Sequence, residues 1–269
     1  MIPVFEWVRV TEIRELAEKT YVIGFEEPRS AAQLLPGQFC MISPAPGTSS
    51  VYIPRPFSYY RTSGNRIEIL FRTFGRATRW MAHLSAGDRI GVFGPLGNAF
   101  SLQPQSARAI LAGGGIGLPP LALLAGRLAE ADTALEVDLV YGETEGSRVV
   151  NLEGVLPGTV RLHLATEDGA VGRKGQVTDL LSDLIASCDG RPALYTCGPK
   201  AMLAAVSRMI DPARVTLFEA SCEEHMACGK GICQGCVIPV KAPGNQTRYV
   251  RCCTEGPVFN GFEVKWETG

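Results

Sequence analysis

Over the first hundred residues the apolar positions fall in short runs cut by Gly and Pro: VFEWVRVTEI, KTYVIGFE, GQFCMIS, RPFSYYR, NRIEILFRTF and DRIGVFG. Short half-buried strands bounded by turn residues predict a small antiparallel β-barrel. One helix is predicted inside it, from Ala77 to Leu84, after Gly75 and before the turn at Ala86 to Asp88. Beyond the loop SLQPQSA the period changes. ARAILA reads as a buried strand, GGGIG as a glycine loop and LPPLALLAGRLAEA as a helix that tolerates Pro in its first turn. LEVDLVYG, VRLHLATE, PALYTC and RVTLFEA continue as buried strands, alternating with helical stretches at VTDLLSDLIAS and PKAMLAAVSRMI. Strands alternating with helices predict a parallel α/β sheet. From Ser221 the text turns Cys- and Gly-rich with little periodicity and ends in the strand-like FEVKWE. The expected fold is therefore multidomain, β plus α/β: a barrel over 1–103, a nucleotide-type sheet over 104–219 and a small third domain over 220–269.

Composition and charge narrow the function classes. Across 269 residues, 26 Lys plus Arg stand against 27 Asp plus Glu, with three His and 46% hydrophobic residues. A near-neutral chain has no basic field for nucleic acid. The most apolar stretch, Ala109 to Ala125, is interrupted by Gly113, Gly114, Gly115, Gly117, Pro119 and Pro120, so no membrane helix is expected. The opening MIPVFEWVRV lacks a basic stretch followed by an apolar one, and no signal peptide is read there. The nine Cys are odd in number and clustered, with four between 222 and 236 and two at 252 and 253. That distribution fits metal ligation in a reducing cytoplasm better than a disulfide framework.

Cys228, Cys233 and Cys236 give C-x4-C-x2-C, with a later Cys at 252 or 253. This is the plant-type spacing for a 2Fe-2S cluster, which needs four thiolates. The glycines of ACGKGICQGC let the backbone turn N–H groups towards the sulfides. The alternative is a structural zinc site of four Cys, which would ordinarily use two C-x2-C knuckles where this chain has one. Cys40, Cys188 and Cys222 read as packing residues.

GGGIGLPP follows a strand and opens a helix, which aims backbone N–H groups and a positive helix end at an anion such as a pyrophosphate. It is not a strict G-x-G-x-x-G, because Leu118 takes the third glycine position. Cys197-Gly198-Pro199 repeats the arrangement at a second strand end, and two such ends make a crevice at the carboxyl edge of an open sheet. Glu143 beyond LEVDLVYG could accept from a ribose 2′-hydroxyl, favouring NAD over NADP, or be a solvated loop residue. In the barrel, Arg55-Pro56-Phe57-Ser58 offers a bidentate donor, a ring and a small hydroxyl to a phosphate-bearing planar ligand, or is simply a strand with an exposed Arg. His83, His163 and His225 are too scattered to suggest a site, and Arg173-Lys174 is a short basic loop.

With RPFSYY, LFRTFGRAT, AGDRIGVFGPLGNAF, GGGIGLPPL, LYTCGP and EEHMACGKGICQGCVIP in this order, the chain resembles the ferredoxin reductase superfamily, and within it the electron-transfer subunits of NAD-linked (class B) dihydroorotate dehydrogenase. The resemblance implies FAD, a 2Fe-2S cluster and NAD as cofactors. It places Arg55 on the FAD pyrophosphate, Ser58 near the reactive edge of the isoalloxazine, and Pro56 and Phe57 between them. Leu70, Phe71 and Arg72 match the next FAD segment. Ala77 and Thr78 match a Gly-Thr pair on the FAD phosphates, with Ala in place of Gly. Gly113, Gly114, Gly115 and Gly117, with Cys197, Gly198 and Pro199, would hold the nicotinamide nucleotide. Cys228, Cys233 and Cys236 match three cluster ligands, and the fourth, three residues before the Gly of G-P-V, is Cys253. The resemblance also implies a partner, an FMN-containing catalytic subunit in a heterotetramer of two plus two. Electrons from dihydroorotate would pass from that subunit's FMN through the cluster and FAD to NAD, a step of pyrimidine biosynthesis. The same circuit serving another partner, such as a hydrogenase or a sulfide-linked or transhydrogenase-like reductase, is the alternative.

Overall fold

The structure, a computed structural model, describes residues 2–27 and 31–266. Its first unit holds β1 (Val4–Ala17), β2 (Thr20–Glu26), β3 (Phe39–Pro44), β4 (Arg55–Ser58), β5 (Arg61–Ser63), β6 (Arg66–Arg72), helix α1 (Arg76–Ala82) and β7 (Arg89–Leu96). The strands form one antiparallel sheet in the order β4-β3-β7-β1-β2-β6-β5. The predicted strand RPFSYYR is thus two strands on opposite edges of the sheet. Only Tyr59 and Tyr60 lie between them, and their N–H groups donate to Gln38 O and Glu68 O at 3.4 and 3.0 Å. Edges joined by two residues must curl towards each other, which closes the sheet around Ile23, Phe25, Ile42, Ile69 and Phe71.

The second unit alternates β8 (Arg108–Gly114), α2 (Leu118–Ala131), β9 (Glu136–Glu143), β10 (Val160–Thr166), β11 (Arg173–Lys174), α3 (Val177–Ala186), β12 (Ala193–Cys197), α4 (Lys200–Met209) and β13 (Leu217–Ser221). The strands run parallel in the order β11-β10-β9-β8-β12-β13. The chain direction across the sheet reverses between β8 and β12, which is where open α/β sheets bind ligands. Residues 193–197 are buried on both sides, as a central strand requires. Helix α2 is apolar nearly all round because it is sandwiched. Its Leu121 and Leu124 pack in one core with Leu111, Val137 and Tyr195 of the sheet and with Val22, Tyr60 and Leu70 of the barrel. Arg127 at its far end donates to Thr62 Oγ1 at 3.2 Å. The opposite face of the sheet packs against α3 and α4.

The third segment departs from its reading as aperiodic. It contains a hairpin, β14 (Val237–Ala242) with β15 (Gln246–Arg251), a single helical turn α5 (Cys252–Glu255), and β16 (Val258–Asn260). β16 pairs antiparallel with β13, so this segment adds an edge strand to the nucleotide sheet, and residue 219 lies within β13. FEVKWE is not a strand: among its described residues there is a turn and one bridge, Val264 to Val240. A fourth core seats the segment on the barrel, with Phe39, Met41 and Leu96 packed against Cys222, Cys236 and Ile238. No helix is long and apolar enough to cross a membrane among the described residues.

Candidate functional site

Parallel pairing brings three strand ends together. Cys197 of β12 lies in register with Gly113 of β8 on one side and Ser221 of β13 on the other. After Gly114 the chain makes a tight 3-10 turn over Gly115–Gly117, with Gly115 at φ +55°, and enters α2. The glycines matter for different reasons. A Cβ on Gly117 would overlap the Cys197 carbonyl and stand 2.6 Å from Gly198 Cα, so the two predicted nucleotide loops touch backbone to backbone. A Cβ on Gly114 would meet Met202 Sδ at 2.5 Å and Pro199 Cδ at 3.2 Å. The result is a cradle without side chains at the switch point, with the N-terminus of α2 above it, a shape that suits a pyrophosphate. Cys197 is buried, and that burial pushes its thiol well above the usual range. It therefore stands in the crevice as a neutral thiol.

On the barrel side, Arg55 is exposed at the start of β4. Its Nη1 donates to Ile53 O at 2.7 Å and Pro54 O at 3.3 Å, and it pairs with no carboxylate among the described residues. Phe57 meets Phe71 edge-on at 6.0 Å, and Ser58 pairs across to Phe39. Leu70 and Phe71 are buried in two different cores, so only their backbone can face a ligand. Thr78 Oγ1 is occupied within its own turn, accepting from Phe74 N and Gly75 N at 3.1 and 3.2 Å, and Ala77 is buried beside it.

Arg72 and Glu143, predicted separately for two nucleotides, meet each other. Arg72 Nη2 and Nη1 donate to Glu143 Oε1 and Oε2 at 2.6 and 3.2 Å, and the Tyr141 hydroxyl donates to Oε1 at 2.7 Å. Glu143 is thus not a solvated loop residue: its carboxylate is committed to a buried pair that ties the barrel to the sheet. The guanidinium also lies 3.8 Å from where a Gly115 Cβ would be, at the lip of the cradle. Sequence reasoning missed this pairing because its partners are 71 residues apart.

The cysteine loop gathers the four thiols as two pairs, Cys228 beside Cys233 and Cys236 beside Cys253. Hydrogen bonds from the Cys233, Lys230 and Ile232 N–H groups bring the Cys228 thiol down to about 6, and the Lys230 N to Sγ distance is 3.4 Å. Gly229 and Gly231 at positive φ make those turns. Burial and the neighbouring Cys236 push Cys253 up to about 11. Cys252 and Cys253 differ in their partners: Cys252 is wholly buried and its Sγ donates to Cys222 O at 3.0 Å, whereas Cys253 pairs with Cys236. No three such side chains converge on one point among the described residues. A tetrahedral zinc site would want four thiolates around one ion, whereas two pairs ringed by N–H donors suit a cluster that takes two thiolates on each iron.

The other candidates stay apart. His163 Nε2 bonds Asp138 at 2.8 Å at the far end of the strands and His83 Nδ1 bonds Arg79 O at 2.7 Å. Arg173 of the basic loop pairs with Asp183.

Comparison with known proteins agrees with this geometry. The profile of the iron-sulfur cluster binding domain of dihydroorotate dehydrogenase B matches residues 223–265. The chain is 38% identical over 262 residues to the dihydroorotate dehydrogenase B (NAD(+)) electron transfer subunit of Listeria innocua, covering 96% of this chain and 97% of that one. It is 36% identical over 263 residues to the subunit of the same name from Geobacillus thermodenitrificans, covering 96% and 98%. Among solved structures, the NADH-dependent reduced ferredoxin-NADP oxidoreductase studied for flavin-based electron bifurcation superposes with a TM-score of 0.82 at 24% identity, over 96% of this chain and 90% of that one. The ferredoxin reductase in carbazole 1,9a-dioxygenase superposes at 0.68 with 22% identity, over 80% and 69%. Both share the fold.

Proposed function

Because the chain belongs to the family of electron-transfer subunits of dihydroorotate dehydrogenase B (NAD(+)), we propose that its own residues hold FAD, a 2Fe-2S cluster and NAD in a line across the junction of its three segments. FAD, when bound, supplies the exchange between single electrons and hydride. Arg55 binds its pyrophosphate, with Pro56, Phe57 and Ser58 along the ring, the backbone of Leu70 and Phe71 behind it, and the start of α1 at Ala77 and Thr78 near the phosphates. Arg72 stands between the two nucleotides, neutralised by Glu143. Gly113, Gly114, Gly115 and Gly117 cradle the NAD pyrophosphate, and Cys197, Gly198 and Pro199 line the nicotinamide end. Cys228 and Cys233 hold one iron, Cys236 and Cys253 the other. The three-part division falls at 103 and, because β13 runs on to Ser221, at 221 rather than 219, with β16 returned to the nucleotide sheet.

The partner is an FMN-containing catalytic subunit that oxidises dihydroorotate, in an assembly of two plus two, and the setting is a reducing cytoplasm, as clustered free thiols favour. The observation that carries this reading is the seating of the cysteine segment on the barrel, where Phe39, Met41 and Leu96 pack against Cys222 and Cys236, while its strand β16 pairs into the sheet that carries the glycine cradle. The test is a purified chain analysed for flavin, iron and acid-labile sulfide, then mixed with the FMN subunit, dihydroorotate and NAD. NADH should form only in the mixture. A colourless protein containing zinc, or one carrying cofactors that never accepts electrons from that subunit, overturns the reading.

A further inference from the structure

Lys230 of the cysteine loop reaches in two directions. Its backbone N–H donates to Cys228 Sγ at 3.4 Å, while its ammonium lies over the Phe93 ring, Nζ 4.6 Å from the centroid. Phe93 belongs to a row that crosses four strands of the barrel in register: Pro56 on β4, Met41 on β3, Phe93 on β7 and Phe5 on β1. The loop rests on this row. Gly229 is buried, and a Cβ there would stand 2.8 Å from Met41 Cγ and 3.2 Å from Leu96 Cδ1, so its backbone touches both side chains. Neighbouring strands are about 4.8 Å apart, which puts the seat of the loop one strand away from Pro56.

Charge gives this contact a role beyond packing. Lys230 is the one charged residue between Cys228 and Cys236, and it pairs with no carboxylate among the described residues. The nearby cations of the hairpin are compensated, Arg251 and Arg248 sharing Glu255 at 3.1 and 3.9 Å. A lysine ammonium on its flexible stem ordinarily spreads over many positions, and the ring face selects one. An exposed cation–π contact contributes little stability, so its effect here is to place the charge. Reduction adds one negative charge to a 2Fe-2S site that four thiolates have already made anionic, and local charge and hydrogen bonds to sulfur set the potential of such a site.

We propose that Lys230 tunes the cluster site: pinned by Phe93 against the barrel, its ammonium offsets the charge gained on reduction and makes the site a better electron acceptor. One electron enters at a time, supplied by the FMN subunit; no bond of the chain forms or breaks and no proton moves with it. Lys230 is a positioning residue, acting through space and through its N–H on the Cys228 sulfur. This rests on the four thiols holding a cluster.

The experiment is a dithionite titration of the cofactor-loaded subunit, followed by electron paramagnetic resonance, for wild type, K230Q, K230R and F93L. At the wild-type midpoint, K230Q should lower the ratio of reduced to oxidised cluster about fivefold, a fall of roughly 40 mV for a one-electron couple. The difference should narrow as salt is added, because an exposed charge is screened. K230R keeps the charge and stacks on the ring, so it should titrate with wild type. F93L keeps the ammonium but frees it, and should fall between wild type and K230Q. Iron content and flavin reduction by NADH should be unchanged in K230Q, since neither depends on the ammonium. A wild-type midpoint in K230Q, a K230R shift as large as that of K230Q, a difference that salt does not narrow, or loss of iron from K230Q overturns the proposal. Failure of the cluster reading itself looks different: wild type would hold no iron or labile sulfide, while upfield-shifted Lys230 methylene protons, lost in F93L, would still report the contact with the ring.

Discussion

Replacing Glu143 with Gln tests whether barrel and nucleotide sheet are held together by a buried charge pair. The Glu143 side chain is 2% exposed and that of Arg72 19%. Three hydrogen bonds converge on the carboxylate, two from the guanidinium and one from Tyr141. Gln keeps the shape but offers one acceptor and no charge. Removing one partner of a buried pair costs about 3–5 kcal/mol, mostly because the other charge is left unpaired. Arg72 keeps some access to water and its Nε bond to Thr20 Oγ1 at 3.0 Å. These place the loss at the lower end, about 3 kcal/mol. Urea unfolding of the cofactor-loaded protein should show a lower midpoint at constant slope. Arg72→Met strands the carboxylate instead, and it should cost at least as much. The double variant strands nothing and should be more stable than Arg72→Met alone, with a coupling energy of about 2 kcal/mol. There is also a functional readout, since the freed guanidinium stands at the lip of the cradle and should improve use of NADP relative to NAD. Losses under about 0.5 kcal/mol that simply add would show that the pair is a surface contact and would refute the reasoning.

Four further outcomes are expected. Cys253→Ser should remove the visible absorbance and iron of the cluster while Cys252→Ser leaves both; the reverse would mean that Cys252 turns inward in the loaded protein. Gly117→Ala forces a methyl into the Cys197–Gly198 backbone and should cost roughly 3 kcal/mol and weaken NAD binding; a variant with wild-type stability and affinity would show that the loops do not touch. Burial raises the Asp138 pKa, but hydrogen bonds from Arg161, Arg108 and His163 outweigh it and hold the carboxyl at about 2. A depressed carboxyl contributes stability above its unfolded pKa and loses it as pH falls through the folded one, so about 2 kcal/mol should vanish between about pH 4 and pH 2. Asp138→Asn should lack that loss, and identical acid profiles would exclude the pair as its source. Arg55→Ala should lower the flavin content per chain and leave iron content intact; unchanged flavin would remove Arg55 from the pyrophosphate site.

The parts of the molecule legible in the sequence are those set by local periodicity. LPPLALLAGRLAEA predicts Leu118–Ala131 because Pro is at home in a first turn and the run is apolar throughout, and α2 has those bounds. The iron-sulfur character of the cysteine segment was legible for the same reason, since a loop around a cluster is a local object. What was not legible depends on closure and distant pairing. RPFSYYR looks like one strand because nothing in its composition marks Tyr59 and Tyr60 as the seam where the sheet turns back on itself. The hairpin from 237 to 251 was hidden because VIPVKA carries a Pro within an alternating run and QTRYVR buries only Val250 well, both properties of a small exposed ribbon. FEVKWE alternates like a strand, but only Val264 finds a partner.

The unpredicted return of β16 has a consequence for the electron path. A cluster segment attached only through residues 222–236 would swing on the end of β13, and electron transfer would vary with that motion. Here the chain leaves the sheet at Ser221, makes the cluster loop and the hairpin, and rejoins at Val258, which pairs back to Ser221 itself. Asn98 of the barrel then clamps the same point, its Nδ2 donating to Val258 O at 2.7 Å and its Oδ1 accepting from Val258 N at 2.9 Å. Exit and re-entry therefore share one register position, and a barrel side chain locks it. Cys253 follows the hairpin and lies just before that lock, so its position is fixed relative to both the barrel and the nucleotide sheet by the Asn98 and strand-pairing hydrogen bonds. Asn98→Ala removes the lock and leaves Val258 N and O without that partner. It should loosen the cluster segment, seen as faster amide exchange at Val258 and Phe259 and quicker loss of iron to a chelator, while flavin and NADH binding at the opposite lip remain. Unchanged exchange and iron retention would mean that the hydrophobic core of Phe39, Met41 and Leu96 alone is enough to hold the cluster in line.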